Sequence, residues 1–442
     1  MGRSNGSSGI IIGFFIVMAG LLILMVFLIK KANTVELPPE PNETEENISL
    51  EERNLLLDYR IIRSTNNYYN NNYLISPLDV AFTLKILEEG SDGSTKKQIN
   101  NMLKNYNFSN IVNVTNKISV SNALFINTAY KTQVKNDFTS TIASKYNANT
   151  MFDAFGNADA INTWINGKMF NLLPRAISRV NSSSKMNTVS AVALNIDWKQ
   201  KMQNYYTHSG QFRKIDNTLI EVAYMRDTNS FGYLENDIAK GIVKHFVAYD
   251  LNTGNAATAE SINKLELEYI AIQPKINLNQ YISSLDQYEL SKLLSTVRTH
   301  SANEDLVMNI PKYNYDFTYD MLTTTLREKG ITHAFDEDAN FEPISKGAGL
   351  VVSDMIHKTY IDFGENGTYS APVYTGKEVK VPTSNKAQTT IDFNTPFLYL
   401  IKEKNSTNIW LFGVVYEPTT WEYYSKLIED AKKAEERAKR GW

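Results

Sequence analysis

The sequence predicts an α+β fold that follows an N-terminal transmembrane helix. Three observations carry this prediction: an uncharged apolar run near the N-terminus, helical stripes of apolar residues, and stretches in which apolar and polar residues alternate. The chain has 442 residues, of which 43% are hydrophobic and 21% are charged, so it holds enough apolar material for a large core. Its net charge of −3 gives no electrostatic case for binding nucleic acid, and we expect no such partner.

The composition and the motifs argue against an enzyme. The chain contains no cysteine, which excludes disulfides, a thiolate nucleophile and zinc–cysteine sites. Its five histidines are scattered and show no H-E-x-x-H pattern, so we expect no metal site and no cofactor. The sequence also has no G-x-S-x-G nucleophile elbow. We therefore predict a protein that is not an enzyme.

The N-terminal apolar run predicts a membrane anchor. Residues 10–29 are apolar or glycine throughout, and this is the length that a helix needs to cross the hydrocarbon core of a bilayer. Lys30 and Lys31 follow directly, where a cleaved signal peptide would have a small-residue cleavage site, so we predict an uncleaved anchor. Residues 1–9 form a short flank, and the acidic, proline-containing residues 30–52 are predicted to be a linker.

Helix and strand signals then follow one another along the chain. Ser76 is a suitable N-cap for a helix with Pro77 at its first position, and Gly90 is expected to end that helix. Ser94 or Thr95 is predicted to cap the next helix. The other predicted elements are helices at residues 54–62, 137–146 and 158–170, and strands at residues 73–75, 118–126, 148–155, 357–363, 397–401 and 409–416.

A long segment separates two of these strands. Between residues 363 and 397 lie roughly thirty residues with three prolines and almost no apolar stripe. A loop of this length inside a compact domain is usually either functional or disordered. We place the loop at residues 364–390.

Two sets of motifs resemble the serpin family. The first set follows the family pattern N-x-x-x-S-P, an apolar helix, and G-x-x-G-x-T-x-x-Q-[IL]. It is carried by Asn72, Ser76, Pro77, Gly90, Gly93, Thr95, Gln98 and Ile99. The second set follows an H-K-x-x-I strand, an acidic residue, a Gly-Thr pair and a P-F strand. It is carried by His357, Lys358, Ile361, Glu365, Gly367, Thr368, Pro396 and Phe397. The resemblance implies one domain over residues 53–418, with eight to nine helices and mixed, mostly antiparallel β-sheets.

The resemblance implies inhibition of a serine, or alternatively a cysteine, endopeptidase by conformational change. The protease cleaves the loop, and the cleaved loop inserts into a β-sheet before water hydrolyses the acyl-enzyme. The reactive-loop hinge would then comprise Glu365, Gly367, Thr368, Ser370, Ala371 and Pro372. Pro372 departs from the family pattern, because proline has no N–H to give to a central strand ladder. Tyr369 and Tyr374 also replace the acid and the threonine that are usual at these positions.

The scissile bond has two candidate positions. Counting forward from Gly367 by the family spacing places it at Lys380-Val381, whereas counting back from Pro396 places it at Asn385-Lys386. Lysines in this loop would suit a trypsin-like protease.

The resemblance also implies a polar cluster that controls the opening of the sheet. This cluster would comprise Ser76, Asp79, Ser190 and His357. Asp79 replaces a serine of the family, and Ser190 stands where the family has an asparagine if no gap is introduced. With a gap, Asn195 would take that position. Trp198 would be the tryptophan at the point where the loop inserts.

Two functions remain open at this stage. The first is a membrane-anchored, monomeric inhibitor whose partner is a target protease of trypsin-like specificity. Such a domain would be most useful on the extracytoplasmic or extracellular side, although basic residues on both sides of the anchor do not orient it. The second is a non-inhibitory binding module whose loop is a plain protease substrate or a recognition surface. The charged residues 419–442 are predicted to form a helical tail that is either solvated or docks a partner.

Overall fold

The computed structural model describes residues 50–103, 113–368, 384–404, 406 and 409–439. The predicted membrane anchor and most of the linker lie outside the described residues, as does the loop from residue 369 to residue 383. Within the described ranges, no helix is both long enough and apolar enough to span a bilayer.

The described residues form nine α-helices and seventeen β-strands. The helices are α1 (Leu50–Arg63), α2 (Pro77–Glu89), α3 (Gly93–Leu103), α4 (Asn136–Tyr146), α5 (Asp159–Lys168), α6 (Leu278–Ser284), α7 (Gln287–Leu294), α8 (Leu322–Glu328) and α9 (Trp421–Lys439). The strands are β1 (Tyr73–Ile75), β2 (Ile118–Asn127), β3 (Asn149–Asp153), β4 (Met186–Leu194), β5 (His208–Arg213), β6 (Leu219–Thr228), β7 (Gly232–Glu235), β8 (Ala239–His245), β9 (Tyr249–Asp250), β10 (Lys264–Leu265), β11 (Leu267–Pro274), β12 (Glu304–Pro311), β13 (Tyr313–Thr318), β14 (Val352–Phe363), β15 (Ala387–Asp392), β16 (Phe397–Glu403) and β17 (Ile409–Val415).

The strands form three larger sheets and one hairpin. The largest sheet has six strands in the order β1-β17-β16-β11-β8-β7, and a four-stranded sheet has the order β15-β12-β6-β5. The five-stranded sheet that concerns the function has the order β13-β14-β4-β2-β3. Most pairs are antiparallel, but β14 with β4, β2 with β3 and β12 with β15 are parallel. The predicted α+β class with mixed sheets is confirmed.

The five-stranded sheet is covered on both faces. On one face, α5 packs its buried Ile161, Trp164 and Ile165 against small and aliphatic residues of β2 and β4. On the other face lies α2, whose Thr83 hydroxyl donates to the side chain of Asn122 on β2 at 2.6 Å. Because both faces are covered, β4 is buried along its whole length and its residues are almost all small or apolar.

The start of α2 follows its sequence signals, but the start of α3 does not. The Ser76 hydroxyl caps α2 by accepting the Asp79 amide at 3.2 Å, and Pro77 occupies the first helical position. The prediction that Ser94 or Thr95 caps α3 is wrong, because that helix begins at Gly93 and the Asp92 carboxylate accepts the Gly93 amide at 2.7 Å. Gly93 has a left-handed φ of +58°, so the chain turns into the helix at Gly93, one residue before Ser94, the first of the predicted caps.

Other boundaries differ from the sequence prediction, and the strand predicted at 357–363 already begins at Val352. The loop does not extend to residue 390, since β15 begins at Ala387 and pairs in parallel with β12. Of its side chains only Ile391 is buried, so the strand shows no apolar alternation in the sequence. The C-terminal tail forms α9, and in its first turn Glu422 and Tyr423 are exposed whereas Tyr424 is buried.

Candidate site of loop insertion

The centre of the five-stranded sheet contains a direct parallel pairing between β14 and β4, which we call the seam. Its register places His357 opposite Ser190 and Thr359 opposite Val192. Any chain that turns back after β14 runs antiparallel to β14, and therefore also antiparallel to β4. A strand placed in the seam would replace one parallel ladder by two antiparallel ladders, which are slightly more stable per residue.

The chain does turn back directly after β14. The Gly364 amide donates to the Gly367 carbonyl at 3.0 Å, and the Gly367 amide donates to the Gly364 carbonyl at 3.2 Å. Gly367 has a φ of +153°, and a Cβ atom at this position would lie 1.8 Å from the Ile196 carbonyl oxygen. Only glycine fits here, because the turn brings the two backbones into direct contact.

The residues after this turn already pair with the chain that follows β4. The Trp198 amide donates to the Asn366 carbonyl at 2.8 Å, and the Thr368 amide donates to the Ile196 carbonyl at 3.0 Å. The Thr368 side chain is fully buried, and its hydroxyl donates to the Leu194 carbonyl at 2.9 Å. The first rung of an antiparallel ladder is therefore in place at the end of the seam. The other predicted hinge residues, Ser370, Ala371 and Pro372, lie outside the described residues.

Glu365 connects the two sides of the hinge. Its carboxylate forms an ion pair with the buried Lys312, which lies between β12 and β13, and accepts the Thr207 hydroxyl at 2.7 Å. Its carbonyl accepts the Met202 amide, from the segment after β4, at 3.0 Å. Burial on its own would raise the pKa of Glu365, but Lys312 and the Thr207 hydroxyl outweigh burial and hold the pKa below its ordinary value.

Trp198 fills the space beneath the hinge turn. Its indole N–H donates to the Gly364 carbonyl at 2.9 Å, and its ring stacks on Phe246 with centroids 4.3 Å apart. Phe363 at the end of β14 meets the same ring edge-on at 5.6 Å. We call residues 364–368, Trp198, Lys312 and Thr207 together the hinge corner. The predicted tryptophan thus lies where β14 ends and the loop begins.

The four residues predicted to control sheet opening lie together under the seam, and we call them the central cluster. The Ser76 amide donates to His357 Nε2 at 3.0 Å, and the Ser190 hydroxyl lies 2.8 Å from His357 Nδ1. Because Nε2 accepts this backbone N–H, the proton of a neutral ring is on Nδ1. Asp79 Oδ2 makes an ion-pair contact with Nδ1 at 3.1 Å, without hydrogen-bond geometry. Asp79 Oδ1 accepts the Asn122 side-chain amide at 2.8 Å.

Ser190, and not Asn195, lies beside His357. Asn195 lies beyond the end of β4, and its side-chain amide donates to the Asn116 carbonyl at 2.8 Å. Of the two residues that the resemblance leaves open, Ser190 is therefore the one that contacts His357.

The scissile-bond candidates fall on different sides of the described boundary. Lys380 and Val381 lie outside the described residues. Asn385 and Lys386 are exposed, and the Lys386 ammonium lies 3.6 Å from the Asp305 carboxylate. The next residue, Ala387, already belongs to β15, so a bond at Asn385-Lys386 has little free chain on its C-terminal side.

Sequence reasoning missed two partners of the hinge. Lys312 and Thr207 reach Glu365 from distant parts of the chain, and no local pattern marks either of them. The one available signal was the position of Lys312 directly after Pro311, in a block that resembles a family strand. In the part of the chain that the structure describes, no group of three or more histidine and carboxylate side chains could hold a metal ion.

Comparison with known proteins identifies the family of this chain. Residues 57–418 match the family profile described as serpin, serine protease inhibitor. The chain belongs to the serpin family. Leukocyte elastase inhibitor of Xenopus tropicalis is 25% identical to this serpin over 374 residues, which cover 78% of this chain and 93% of that protein.

Solved structures give the same fold. Tengpin, a thermophilic serpin in its native state, has a TM-score of 0.68 and 22% identity, covering 85% of this serpin and 96% of Tengpin. Thyroxine-binding globulin in complex with thyroxine has a TM-score of 0.67 and 19% identity, covering 84% and 99% of the two chains. At these identities the similarity shows the fold alone. The function of this serpin must therefore be argued from its own hinge.

Proposed function

We propose that this serpin is a suicide-substrate inhibitor of a serine, or alternatively a cysteine, endopeptidase of trypsin-like specificity. After cleavage of its loop, the freed segment would insert into the seam and trap the acyl-enzyme. One observation carries the proposal: β14 and β4 pair directly, and the hinge has already turned back and formed one antiparallel rung at the end of this seam. Insertion would extend a ladder that has begun.

The free energy of insertion favours the trapped state. An inserted strand of about ten residues would gain some ten ladder hydrogen bonds at ~1 kcal/mol each, in addition to apolar burial. These gains exceed the cost of ordering one segment that is anchored at the hinge. Inhibition then depends on whether insertion is faster than hydrolysis of the acyl-enzyme.

The alternation of an extended strand determines which loop residues would face inward. Thr368 points inward, since it is fully buried. Side chains alternate along a strand, so Ser370, Pro372 and Tyr374 would follow on the same inward side. Ser370 is small enough for a tight central position. Pro372 would remove one ladder bond, at a cost of ~1 to 3 kcal/mol, which slows insertion without reversing it.

The second candidate function is a non-inhibitory binding module. The inward position of both Pro372 and Tyr374 favours it, because a proline and a large aromatic ring are poorly suited to a central strand. In this case the protease would cleave the loop and leave, or a partner would recognise the uncut loop.

We also propose that residues 10–29 anchor a monomeric domain at the membrane, on the extracytoplasmic or extracellular side. The support is the uncharged apolar run in the sequence and the polar linker after it. Protease treatment of intact cells tests the location, and a domain that stays uncut would contradict it.

The inhibitor proposal is tested by incubating the full chain with a panel of trypsin-like proteases. We expect a covalent adduct that survives SDS, and a large rise in Tm after the loop is nicked. Thr368→Arg is the matched control, since a charge at this buried position should block insertion and leave only cleavage. Clean cleavage across the panel with an unchanged Tm would contradict the inhibitor and support the binding module.

A further inference from the structure

The C-terminal segment of this serpin lies beyond the family match, which ends at residue 418. It continues beside β6, where the Ala223 amide donates to the Thr419 carbonyl at 3.1 Å and Thr420 forms an antiparallel bridge with the same strand. The Thr419 amide donates to the Lys312 carbonyl at 2.8 Å. The segment is therefore fixed directly beside the lysine of the hinge corner.

Tyr424, in the first turn of α9, covers this lysine. Its side chain is 3% exposed, and the centre of its ring lies 4.8 Å from the Lys312 ammonium, a favourable distance for a cation–π contact. Burial raises the pKa of the Tyr424 phenol, and the negative charge of Glu365 adds to this shift. Tyr424 thus completes a buried group with Lys312 and Glu365, which are themselves 6% and 5% exposed.

The second half of α9 is exposed, from Lys433 to Lys439. Ion pairs there, such as Glu435 with Lys439, join exposed side chains one helical turn apart. In the first half Trp421, Leu427 and Ile428 are half-buried, and Tyr424 is the one residue of α9 that is fully buried within the described structure. The most complete burial of a side chain of this helix is therefore at the hinge corner.

We propose that Tyr424 is a positioning residue for loop insertion, and that α9 acts as a latch on the hinge. Glu365 joins Lys312, on the β13 side of the seam, to Met202 and Thr207, on the β4 side. When the seam opens at this end, the two sides have to separate. By excluding water, Tyr424 strengthens the attraction between Lys312 and Glu365, because Coulomb attraction grows as the local dielectric falls. The latch slows opening, and its removal speeds insertion.

This inference rests on the proposed insertion of the loop, and its test separates the two. The full chain is nicked with trypsin, and the fraction that unfolds only at the higher temperature of the inserted form is followed over time. The variants are Tyr424→Ala and Tyr424→Phe, with Tyr423→Ala as the matched control. Tyr423 is the exposed neighbour of Tyr424 on the same helix. We expect Tyr424→Ala to insert about twofold to thirtyfold faster than the wild type, which is the range of a lost cation–π contact. Tyr424→Phe keeps the ring over Lys312 but removes the hydroxyl that hydrogen-bonds to Glu365 and Thr207, so its insertion rate should lie between those of the wild type and Tyr424→Ala.

Each outcome of this experiment tests the proposal that α9 acts as a latch. If Tyr424→Ala inserts at the wild-type rate or more slowly, or only lowers the Tm of the uncut protein, the latch proposal is wrong. The proposed loop insertion is not affected by that result. If nicking raises the Tm of Tyr424→Ala but not that of the wild type, the latch proposal is supported, because the wild-type latch then prevents insertion altogether. If neither gains Tm, both the latch and the proposed function are wrong. Should Tyr424→Ala fail to fold, Tyr424→Leu retains the bulk without the ring and replaces it in every comparison.

Discussion

Two regions hold the seam closed, and they do so by different chemistry. The central cluster lies under the middle of the seam, where a histidine of β14 contacts a serine of β4 and the start of α2. The hinge corner lies at the end of the seam, where a glycine turn, a backbone rung and the pair of Lys312 and Glu365 hold the first residues of the loop. The central cluster joins the strands that would part during the proposed insertion, whereas the hinge corner holds the segment that would replace their contact.

The two regions also differ in how their contacts respond to substitution. In the central cluster, the resemblance to the family implies a serine at position 79 and an asparagine at position 190, where this chain has Asp79 and Ser190. The Ser190 hydroxyl still reaches His357, and the enlarged Asp79 takes Asn122 as a second partner. At the hinge corner the backbone approach leaves no room for such an exchange, since any Cβ on Gly367 would meet the Ile196 carbonyl. Any side chain at position 367 would therefore require the backbone to move.

The largest effect on native stability is expected from His357→Ala. The substitution leaves the fully buried Asp79 carboxylate without its imidazole contact and the Ser76 amide without its acceptor. Leaving a buried polar group without its partner costs ~1–3 kcal/mol of unfolding free energy, and truncating the fully buried ring adds to this loss. The midpoint of urea unfolding, followed by circular dichroism, measures this loss.

Two further variants sharpen this prediction. His245→Ala, at a half-exposed histidine that ends β8, should change the unfolding free energy by no more than about 0.5 kcal/mol. Asp79→Ser in the His357→Ala background should recover part of the loss, because it removes a buried carboxylate oxygen that has no hydrogen-bond partner. A loss below about 1 kcal/mol in His357→Ala would show that the centre contributes little to closure.

The central cluster was predictable from the sequence, whereas the partners at the hinge corner were not. Ser76 begins a helix with a clear cap and proline signal, and His357 belongs to a long strand that resembles a family motif, so the sequence alone was enough to place both. The pairing of Glu365 with Lys312 leaves no periodic pattern, because it depends on how β13 and β14 lie beside each other. Ion pairs between distant residues are set by the packing of whole elements and not by local sequence.

The C-terminal tail is a second case in which a contact between distant residues could not be predicted from local sequence. Its glutamates and lysines four residues apart favour a solvated helix, and the later turns of α9 are solvated. Tyr424 is the one fully buried residue of α9 in the described structure, and Trp421, Leu427 and Ile428 at helical spacing from it are half-buried. This spacing marks an apolar face of the helix, but it does not reveal that the face meets Lys312. The strand β15 escapes prediction for a different reason, since only Ile391 of that strand is buried.

An effect of intermediate size on the Tm is expected when the pH is lowered and Glu365 of the hinge corner is protonated. The pKa of Glu365 lies below the ordinary 4.5, so its ion pair contributes its full stability above that pH and loses it as the pH falls through the lower folded value. Glu365→Gln should therefore lower the Tm most at neutral pH, and the gap to the wild type should close below pH 4.5. Thermal unfolding of both proteins between neutral pH and about pH 3 checks this expectation.

The matched control for this titration is Glu422→Gln, at an exposed glutamate near the start of α9. Other carboxylates titrate equally in all three proteins, so the difference between the curves isolates Glu365. Parallel curves for the wild type and Glu365→Gln over the whole range would mean that the corner does not depend on this charge.

The smallest effect on the native protein, and the sharpest on the proposed trap, is expected from Pro372→Ala. This substitution leaves the central cluster and the hinge corner unchanged, so the Tm of the uncut protein should stay the same. The restored N–H would complete the inserted ladder, and the ~1 to 3 kcal/mol it regains would raise the insertion rate at least about fivefold. The measurement is the number of inhibitor molecules cleaved for each protease molecule trapped, which should fall. Val373→Ala is the control, because its neighbouring side chain would face outward and its N–H is already present. If the ratio is the same in Pro372→Ala and the wild type, insertion is limited by the two regions that hold the seam and not by the composition of the loop.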